Sequence, residues 1–313
     1  MRFQLASPIQ LNAQSGQKKG GVRSALAWRG LLLALLALGL GACNAVSLSY
    51  NNAPTLLTWW ADSYFDLDGE QETAVKESVR ALRVWHRTQL PEYARALAEV
   101  QMRVGRPVGQ PIETADVAWL FDESQKQMRR LVEHAAPDAA LLAGRLRADN
   151  IAALQKKMEK KNAEFADDYI NASLEKRQDK RYERVLSEAE RWYGSFNREQ
   201  KKTIRAMTDG LPGNYPLVLE DRRRRQAELV VILNAAIDKS APPPEIARRL
   251  ARWADFEQGR TPEFQEYAAR YKAEMEKLFA GVANLASAEQ RETAMKNVAG
   301  YMDEFNALAV AGN

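Results

Sequence analysis

The sequence predicts an all-α protein, a multi-helix bundle of about ten helices that follows a cleaved signal segment. Good helix formers (Ala, Leu, Glu, Arg, Lys and Gln) dominate after residue 43, and long runs of alternating β-branched residues are absent from the sequence. Apolar residues recur at three- and four-residue spacing, as on the buried face of a helix. Proline and glycine clusters divide these stretches into separate helices.

Four stretches show the apolar spacing most clearly. We interpret them as core stripes, and we interpret their tryptophans and methionines as packing residues rather than as a ligand box. The stripes are Tyr182, Val185, Ala189, Trp192 and Phe196; Met295, Val298, Met302 and Phe305; Tyr93, Leu97, Val100 and Val104; and Leu229, Ile232, Leu233, Ala236 and Ile237.

Helix-breaking residues place the helix ends. Pro91 should begin a new helix or kink the old one, because proline has no backbone N–H. A division into two domains would fall near residue 210, but each piece alone is thin in core residues, so we expect one helical domain over 54–313. The predicted helices are 54–66, 69–89, 91–104, 112–136, 138–171, 174–194, 198–209, 215–238, 243–257, 262–284 and 288–309.

Three helix starts share a pattern in which a capping residue stands three positions before a glutamine. This is capping-box spacing, and each cap contributes about 0.5–2 kcal/mol. The pattern is also similar to the Leu-Thr-x-x-Gln motif of small helical periplasmic chaperones, which implies a membrane-tethered holdase as an alternative function. The pairs are Asp68 and Gln71, Asn197 and Gln200, and Ser287 and Gln290.

Residues 1–42 have the parts of a secretory signal peptide. Arg23 and Arg29 precede an apolar run, 31–42, that is too short to span a bilayer and ends in small residues. The segment Leu40-Gly41-Ala42-Cys43 resembles the lipobox of bacterial lipoproteins. That resemblance implies cleavage before Cys43, a diacylglycerol on its thiol and an N-acyl chain such as palmitate on its new amine. The alternative is a small apolar residue at the end of a membrane helix or of an uncleaved signal.

The start of the chain and its charge follow from this segment. Residues 1–21 are polar and longer than a basic leader needs, so we expect a true start near Val22. The whole chain has 45 basic and 41 acidic residues. Removal of residues 1–42 takes away five basic and no acidic residues, which leaves a net charge of −1. The mature protein is therefore not basic, and we expect no nucleic-acid partner.

A second resemblance lies just after Cys43. The segments Tyr50-Asn51-Asn52 and Trp59-Trp60-x-Asp62-x-Tyr64-Phe65-Asp66-Leu67 look like the opening of a family of proteobacterial lipoproteins with a C-terminal domain of unknown function. The family implies an anchored, all-helical periplasmic protein with no assigned activity. Asn44 follows the cysteine where aspartate commonly retains lipoproteins at the inner membrane, which implies the periplasmic face of the outer membrane.

The aromatic cluster in 59–65 is the most distinctive local chemistry after the anchor. We expect 43–53 to be a tether whose reach brings this cluster to the bilayer surface. Residues 56, 57, 60 and 64 share one helix face, so part of the cluster is expected to pack against the body, while Trp59 points more sideways. The alternative is contact of Trp59, Trp60 and Tyr64 with a membrane or a partner, because such rings suit the interface.

Catalytic and metal-binding arrangements are missing from the sequence. His86 and His134 have no second ligand at helical spacing, no phosphate-binding or nucleophile motif occurs, and Asp62 with Asp66 fits a solvated face or a helix cap. We therefore predict no enzyme, no catalytic residue, no metal and no cofactor other than the lipid on Cys43. The charge runs 156–161 and 222–225 are interpreted as solvated helix faces, with contact to anionic headgroups or an acidic partner as the alternative.

The sequence thus predicts a lipid-anchored scaffold protein that meets the membrane through its anchor and an unknown envelope protein through its helical surface. It assigns no oligomeric state.

Overall fold

All the regular secondary structure in the described part of the chain is helical. The computed structural model describes the backbone of residues 41–311 and the side chains of residues 46–311, so nearly all of the predicted signal segment and the side chain of Cys43 lie outside it. Within these residues no strand occurs, which confirms the all-α multi-helix bundle. The helices are α1 Gly41–Asn51, α2 Ala53–Phe65, α3 Gly69–Val104, α4 Thr114–Ala143, α5 Ala148–Tyr169, α6 Leu174–Tyr193, α7 Arg198–Asp209, α8 Tyr215–Ile237, α9 Pro243–Ala254, α10 Pro262–Leu285 and α11 Ala288–Val310.

The long helix α3 organises the packing. Its 36 residues extend about 54 Å at 1.5 Å per residue. Helix α11 lies along it, and α2 and α4 pack on its other sides. Helices α9 and α10 pack on α4, α5 packs on α8, and α7 packs between α6 and α10. Helices from before and after residue 210 therefore interleave.

The predicted apolar stripes supply much of the core. The stripe in α8 packs between α4, α5 and α9, with Ile232, Leu233 and Ala236 buried. The stripe that begins in α6 ends at Phe196, which is buried together with Ile204 of α7. Trp192 packs its ring against Tyr301, with ring centroids 5.4 Å apart. The methionines and aromatics of these stripes thus act as packing residues.

Two predicted breaks in the helices are wrong. Helix α3 continues through Pro91, because Leu90 and Ala94 on either side of the proline are buried and hold the helix against the body. Helix α4 likewise continues through Pro137 to Ala143, and the break falls at 144–147 instead. In both cases packing outweighs the backbone hydrogen bond that proline removes. The segment 43–53, expected to be a tether, is helical over Gly41–Asn51.

The run 222–225 is not a solvated face. Arg225 is buried and stacks its guanidinium over Trp253, 5.3 Å from the ring centroid. The buried Asp221 accepts a hydrogen bond from Arg224 at 2.9 Å and another from Arg260. These residues fix α8 to the loop before α10, so part of the run is an internal ionic cluster.

All three predicted capping boxes are confirmed, and their glutamines do more than cap. Gln71 accepts a hydrogen bond from the Asp68 N–H at 3.1 Å. Its side-chain NH2 donates to the carbonyl oxygen of Arg145 at 2.8 Å and to Oδ1 of Asn150 at 2.9 Å. The cap of α3 is thereby joined to the start of α5.

Asn150 of α5 makes the matching contacts toward the start of α3. Its Oδ1 accepts from the Arg147 N–H at 2.8 Å, so it caps its own helix start. Its NH2 donates to the carbonyl oxygens of Phe65 at 2.9 Å and Asp66 at 3.0 Å, where the chain enters α3. We call this reciprocal arrangement an amide clasp. Both of its amides are buried.

A second amide clasp joins the starts of α7 and α11. Gln200 and Gln290 each accept a hydrogen bond from the N–H of their own capping residue. Gln200 donates to the Leu285 carbonyl at 2.9 Å, and Gln290 donates to the Ser195 carbonyl at 2.8 Å. Gln200 also donates to Oε1 of Gln290 at 2.8 Å. In both clasps each amide therefore binds the carbonyl two residues before the capping residue of the other helix.

We expect the α3–α5 clasp to make a large contribution to stability. Gln71→Ala should lower the free energy of unfolding by about 3 kcal/mol, since roughly 1–3 kcal/mol is lost for each buried polar group left unpaired. A double-mutant cycle of Gln71→Ala with Asn150→Ala, followed by urea unfolding, should give a coupling energy above about 0.5 kcal/mol. Gln155→Ala on the exposed side of α5 is the matched control and should change stability by less than about 0.5 kcal/mol. Additive effects of the two alanines would contradict the clasp.

Candidate functional site

Helix α2 turns most of its large apolar side chains outward. Its fully buried residues are Pro54 and Thr58, and the Thr58 hydroxyl donates to the Pro54 carbonyl at 2.7 Å. Trp59 and Trp60 on the other side are 60% and 55% exposed. The expected packing of Trp60 against the body is therefore wrong. The helix is held by its small, buried side and by its C-terminal end.

Tyr64 connects this outward side to the body. Its ring lies 5.0 Å from the ring of Trp60 and packs partly against the core cluster between α4, α5, α8 and α9. Lys157 of α5 holds its ammonium group 5.3 Å from the centroid of the same ring. The aromatic cluster predicted from the sequence thus has two rings packed against the core, Tyr64 and Phe65, and two outward rings, Trp59 and Trp60.

Helix α1, which directly precedes α2, also carries an exposed large apolar side chain. Leu48 in α1 is 65% exposed, and it adds to the exposed leucines and tryptophans of α2. Contiguous exposed apolar surface on a folded protein marks an interaction site. We call this surface the outer face; it comprises Leu48, Leu56, Leu57, Trp59 and Trp60.

Tyr50 fastens α1 to the body. Its hydroxyl lies 3.2 Å from Nδ1 of His86, and the hydroxyl of Tyr93 lies 3.1 Å from Nε2 of the same ring. The Arg83 guanidinium donates to the Asn51 carbonyl at 2.7 Å. Because α1 also packs on α11, it has a fixed position beside α3. Sequence analysis missed the anchoring role of Tyr50 because the segment was interpreted as a tether.

The two histidines have structural partners. His86 is bridged between Tyr50 and Tyr93, and burial lowers the pKa of its imidazole below the ordinary value. His134 stacks on Trp85, with ring centroids 3.8 Å apart and planes 9° apart. Asp62 caps the end of α2 by accepting from the Leu67 N–H at 2.9 Å, and does not pair with Asp66. Among residues 46–311 no group of three or more metal-ligating side chains is placed to hold an ion.

A shallow groove of about 240 Å³ lies between α4 and α9. Its central cation, Arg129, already pairs with the buried Asp255 at 2.9 Å and with Glu257 at 2.5 Å. Met128, Val132 and Phe256 line the same groove. Arg129 of α4 is therefore held in ion pairs with residues that follow α9.

We expect the docking of α1 to weaken on acidification. Since burial lowers the pKa of His86 below 6.5, the unfolded chain takes up the proton first as the pH falls. The free energy of unfolding therefore decreases below about pH 6.5. The charged side chains nearby are also cationic, so they do not stabilise a protonated His86 imidazole. They are Arg83, Arg87 and Arg130.

Urea unfolding of the wild type and of His86→Gln at neutral and mildly acidic pH would measure this contribution. The variant should lose less stability between the two pH values than the wild type. An equal loss in both proteins would show that His86 does not titrate on unfolding.

None of the helices in residues 41–311 combines the length and the apolar character needed to cross a bilayer.

No curated protein matches the chain, and no solved structure does. The signature of a family of unknown function, DUF6279, matches residues 63–253, which is more than half of the chain. The matched region starts just after Trp60, contains the α3–α5 clasp and ends at Trp253, before Asp255 of the groove and Arg260 of the ionic cluster. The chain therefore belongs to the family of unknown function DUF6279.

Proposed function

We propose that this protein is a lipid-anchored protein of the bacterial envelope that rests on the membrane through its outer face and presents its helical body to an envelope protein partner. Cys43 carries the lipid, and the location is the periplasmic face of the outer membrane. The observation that carries the proposal is the outer face, an exposed surface of leucine and tryptophan in the helices that directly follow Cys43.

The sequence before the outer face supports an anchor. Cys43 is the only cysteine, and it ends an apolar run with lipobox spacing. A thiol left over in an exported protein would be reactive, and lipidation removes it. A single acyl chain binds a membrane only reversibly, whereas two or more hold stably. The triacylated cysteine implied by the lipobox is therefore a permanent anchor.

The helical form of α1 and α2 brings the outer face close to the anchor. Sixteen residues separate Cys43 from Trp59, and at 1.5 Å per residue they extend at most about 24 Å. An extended tether of the same length would reach roughly 50 Å. Tryptophan and leucine within this distance of a lipid can enter the interface, where an amphipathic ring is well accommodated. Exposed apolar side chains that are costly in water thereby gain an apolar environment.

The outer face would contact the membrane through both α1 and α2. Together with the rigid connection of these helices to the body, these contacts would fix the orientation of the whole bundle. Because α1 and α2 are both tied to α3, the bundle cannot swing freely about the lipid. A protein held in this way suits the role of a scaffold that offers one surface to a partner. A membrane-tethered holdase is the alternative, but the glutamines of its supporting motif are already used in the amide clasps.

The anchor is tested by labelling cells with a palmitate analogue and fractionating their envelopes. The wild type should be labelled and recovered with the outer membrane, and Cys43→Ala should lose both properties. Crosslinking and pull-down from the same envelopes should give one or a few partners for a scaffold. Recovery of many unrelated unfolded proteins would favour the holdase, and unlabelled wild type would contradict the anchor.

The outer face is tested by reconstituting the lipidated protein into vesicles that contain brominated phospholipid. Trp59→Phe with Trp60→Phe should remove most of the tryptophan emission that the bromine atoms quench, because only rings within the membrane are reached. Trp192→Phe is the matched control, since that ring packs against Tyr301 in the body. Equal quenching in the double variant and the wild type would place the outer face away from the membrane and contradict the proposal.

A further inference from the structure

A row of lysines on α5 adjoins the outer face. Trp60 contacts Tyr64, and the ammonium group of Lys157 lies over the same Tyr64 ring at 5.3 Å from its centroid. Helix α5 packs directly against α2. Lys157 therefore links the lysines of α5 to the aromatic rings of α2. We call these lysines the lysine row; it comprises Lys156, Lys157, Lys160 and Lys161.

Lys156 and Lys160 face away from the core, and Lys157 and Lys161 are half-buried at its edge. Ile151, Leu154 and Phe165 are buried on the side of α5 opposite Lys156 and Lys160. The stretch 156–164 holds four lysines and two carboxylates, Glu159 and Glu164. Lys161 pairs with Glu164 at 2.8 Å. The row thus keeps an excess of positive charge at the surface, although the mature protein has a net charge of only −1.

The position of this charge matches the layers of a bilayer surface. Tryptophan and tyrosine rings lie at the boundary between the acyl chains and the headgroups, and lysine side chains extend from that boundary toward the phosphates. A row of ammonium groups beside exposed rings therefore falls where phosphate oxygens are densest. Basic residues at this level are attracted by anionic lipids within about one Debye length.

We propose that the lysine row binds the anionic headgroups of the phospholipid leaflet on which the outer face rests. This inference rests on the proposed function, because the outer face brings the row to the membrane. It adds a lipid preference to the anchor: a bilayer rich in anionic phospholipid holds the bundle down on the α5 side, and a zwitterionic bilayer does not.

The test measures lysine reactivity in the reconstituted, lipidated protein. Vesicles of phosphatidylcholine alone are compared with vesicles that also contain phosphatidylglycerol, and acetylation at each lysine is followed by mass spectrometry. Acetylation of Lys156 and Lys160 should slow about fivefold in the anionic vesicles, which corresponds to about 1 kcal/mol for each cation. The effect should disappear at high salt. Lys202 on α7 is exposed, and α7 packs on neither α2 nor α5, so it should react equally in both vesicles.

Tryptophan quenching in the same samples separates the two proposals. Quenching of Trp59 and Trp60 with equal lysine acetylation in both vesicle types would overturn the lysine inference and leave the outer face on the membrane. Absence of quenching would overturn both. Protection of the lysines that appears only when an acidic protein from the envelope is added would assign the row to a protein partner and overturn the lipid assignment. Lys156→Gln with Lys160→Gln should weaken the preference of the bundle for anionic vesicles, seen as a smaller protection of Lys157 than in the wild type, and unchanged protection of Lys157 would count against a shared headgroup site.

Discussion

The two amide clasps are the constraint on which the arrangement of helices depends. A carboxamide carries two donors and an acceptor, and in the α3–α5 clasp, whose two amides are buried, leaving any of these groups unpaired is costly. Each clasp satisfies its amides only when two helix starts meet in one register, because each amide donates to a backbone carbonyl just before the start of the other helix. Apolar packing alone tolerates small shifts between helices, whereas a clasp does not. The clasps therefore select one packing from those that the apolar stripes allow.

The α3–α5 clasp also determines where the outer face points. Asn150 donates to the carbonyls of Phe65 and Asp66, the residues at which α2 ends. Asp66 has a left-handed backbone with φ 51°, which allows the chain to reverse into α3 at this point. The end of α2 is thus held by a buried side chain from a distant helix, and its tryptophans are directed outward by the body. Tyr50 and His86 hold the other end of the same unit through α1.

The sequence predicted what depends on local chemistry and missed what depends on distant partners. Capping boxes were predictable because the capping residue and its glutamine are three positions apart. Their pairing was not, since Gln71 and Asn150 are 79 residues apart and Gln200 and Gln290 are 90 apart. Asn150 stands three residues after Arg147, which is not a usual capping residue. No local sequence pattern therefore indicated that Asn150 caps a helix. A new helix or a kink was predicted at Pro91, and the predicted helix 112–136 ended just before Pro137. The local cost of proline is visible in the sequence, while the burial that offsets it is not. The outward position of Trp60 was missed for a related reason: helical spacing shows which residues share a face but not which face meets the body.

An orientation fixed by α1 and α2 restricts the surface that remains for a protein partner. If the outer face and the lysine row are against the leaflet, the helices packed on them cannot be approached from that side. Helix α7 packs on α6 and α10, and it meets the start of α11 at the α7–α11 clasp. That clasp lies beside a polar cavity of about 420 Å³ lined by Ser195, Asn197 and Thr293. In the proposed arrangement, this rigid polar surface would lie at a fixed height above the membrane. A tether that swings freely could not hold it there. In the proposed arrangement, the interactions that hold the bundle together and those that would bind it to the membrane both determine the direction in which this polar surface is presented.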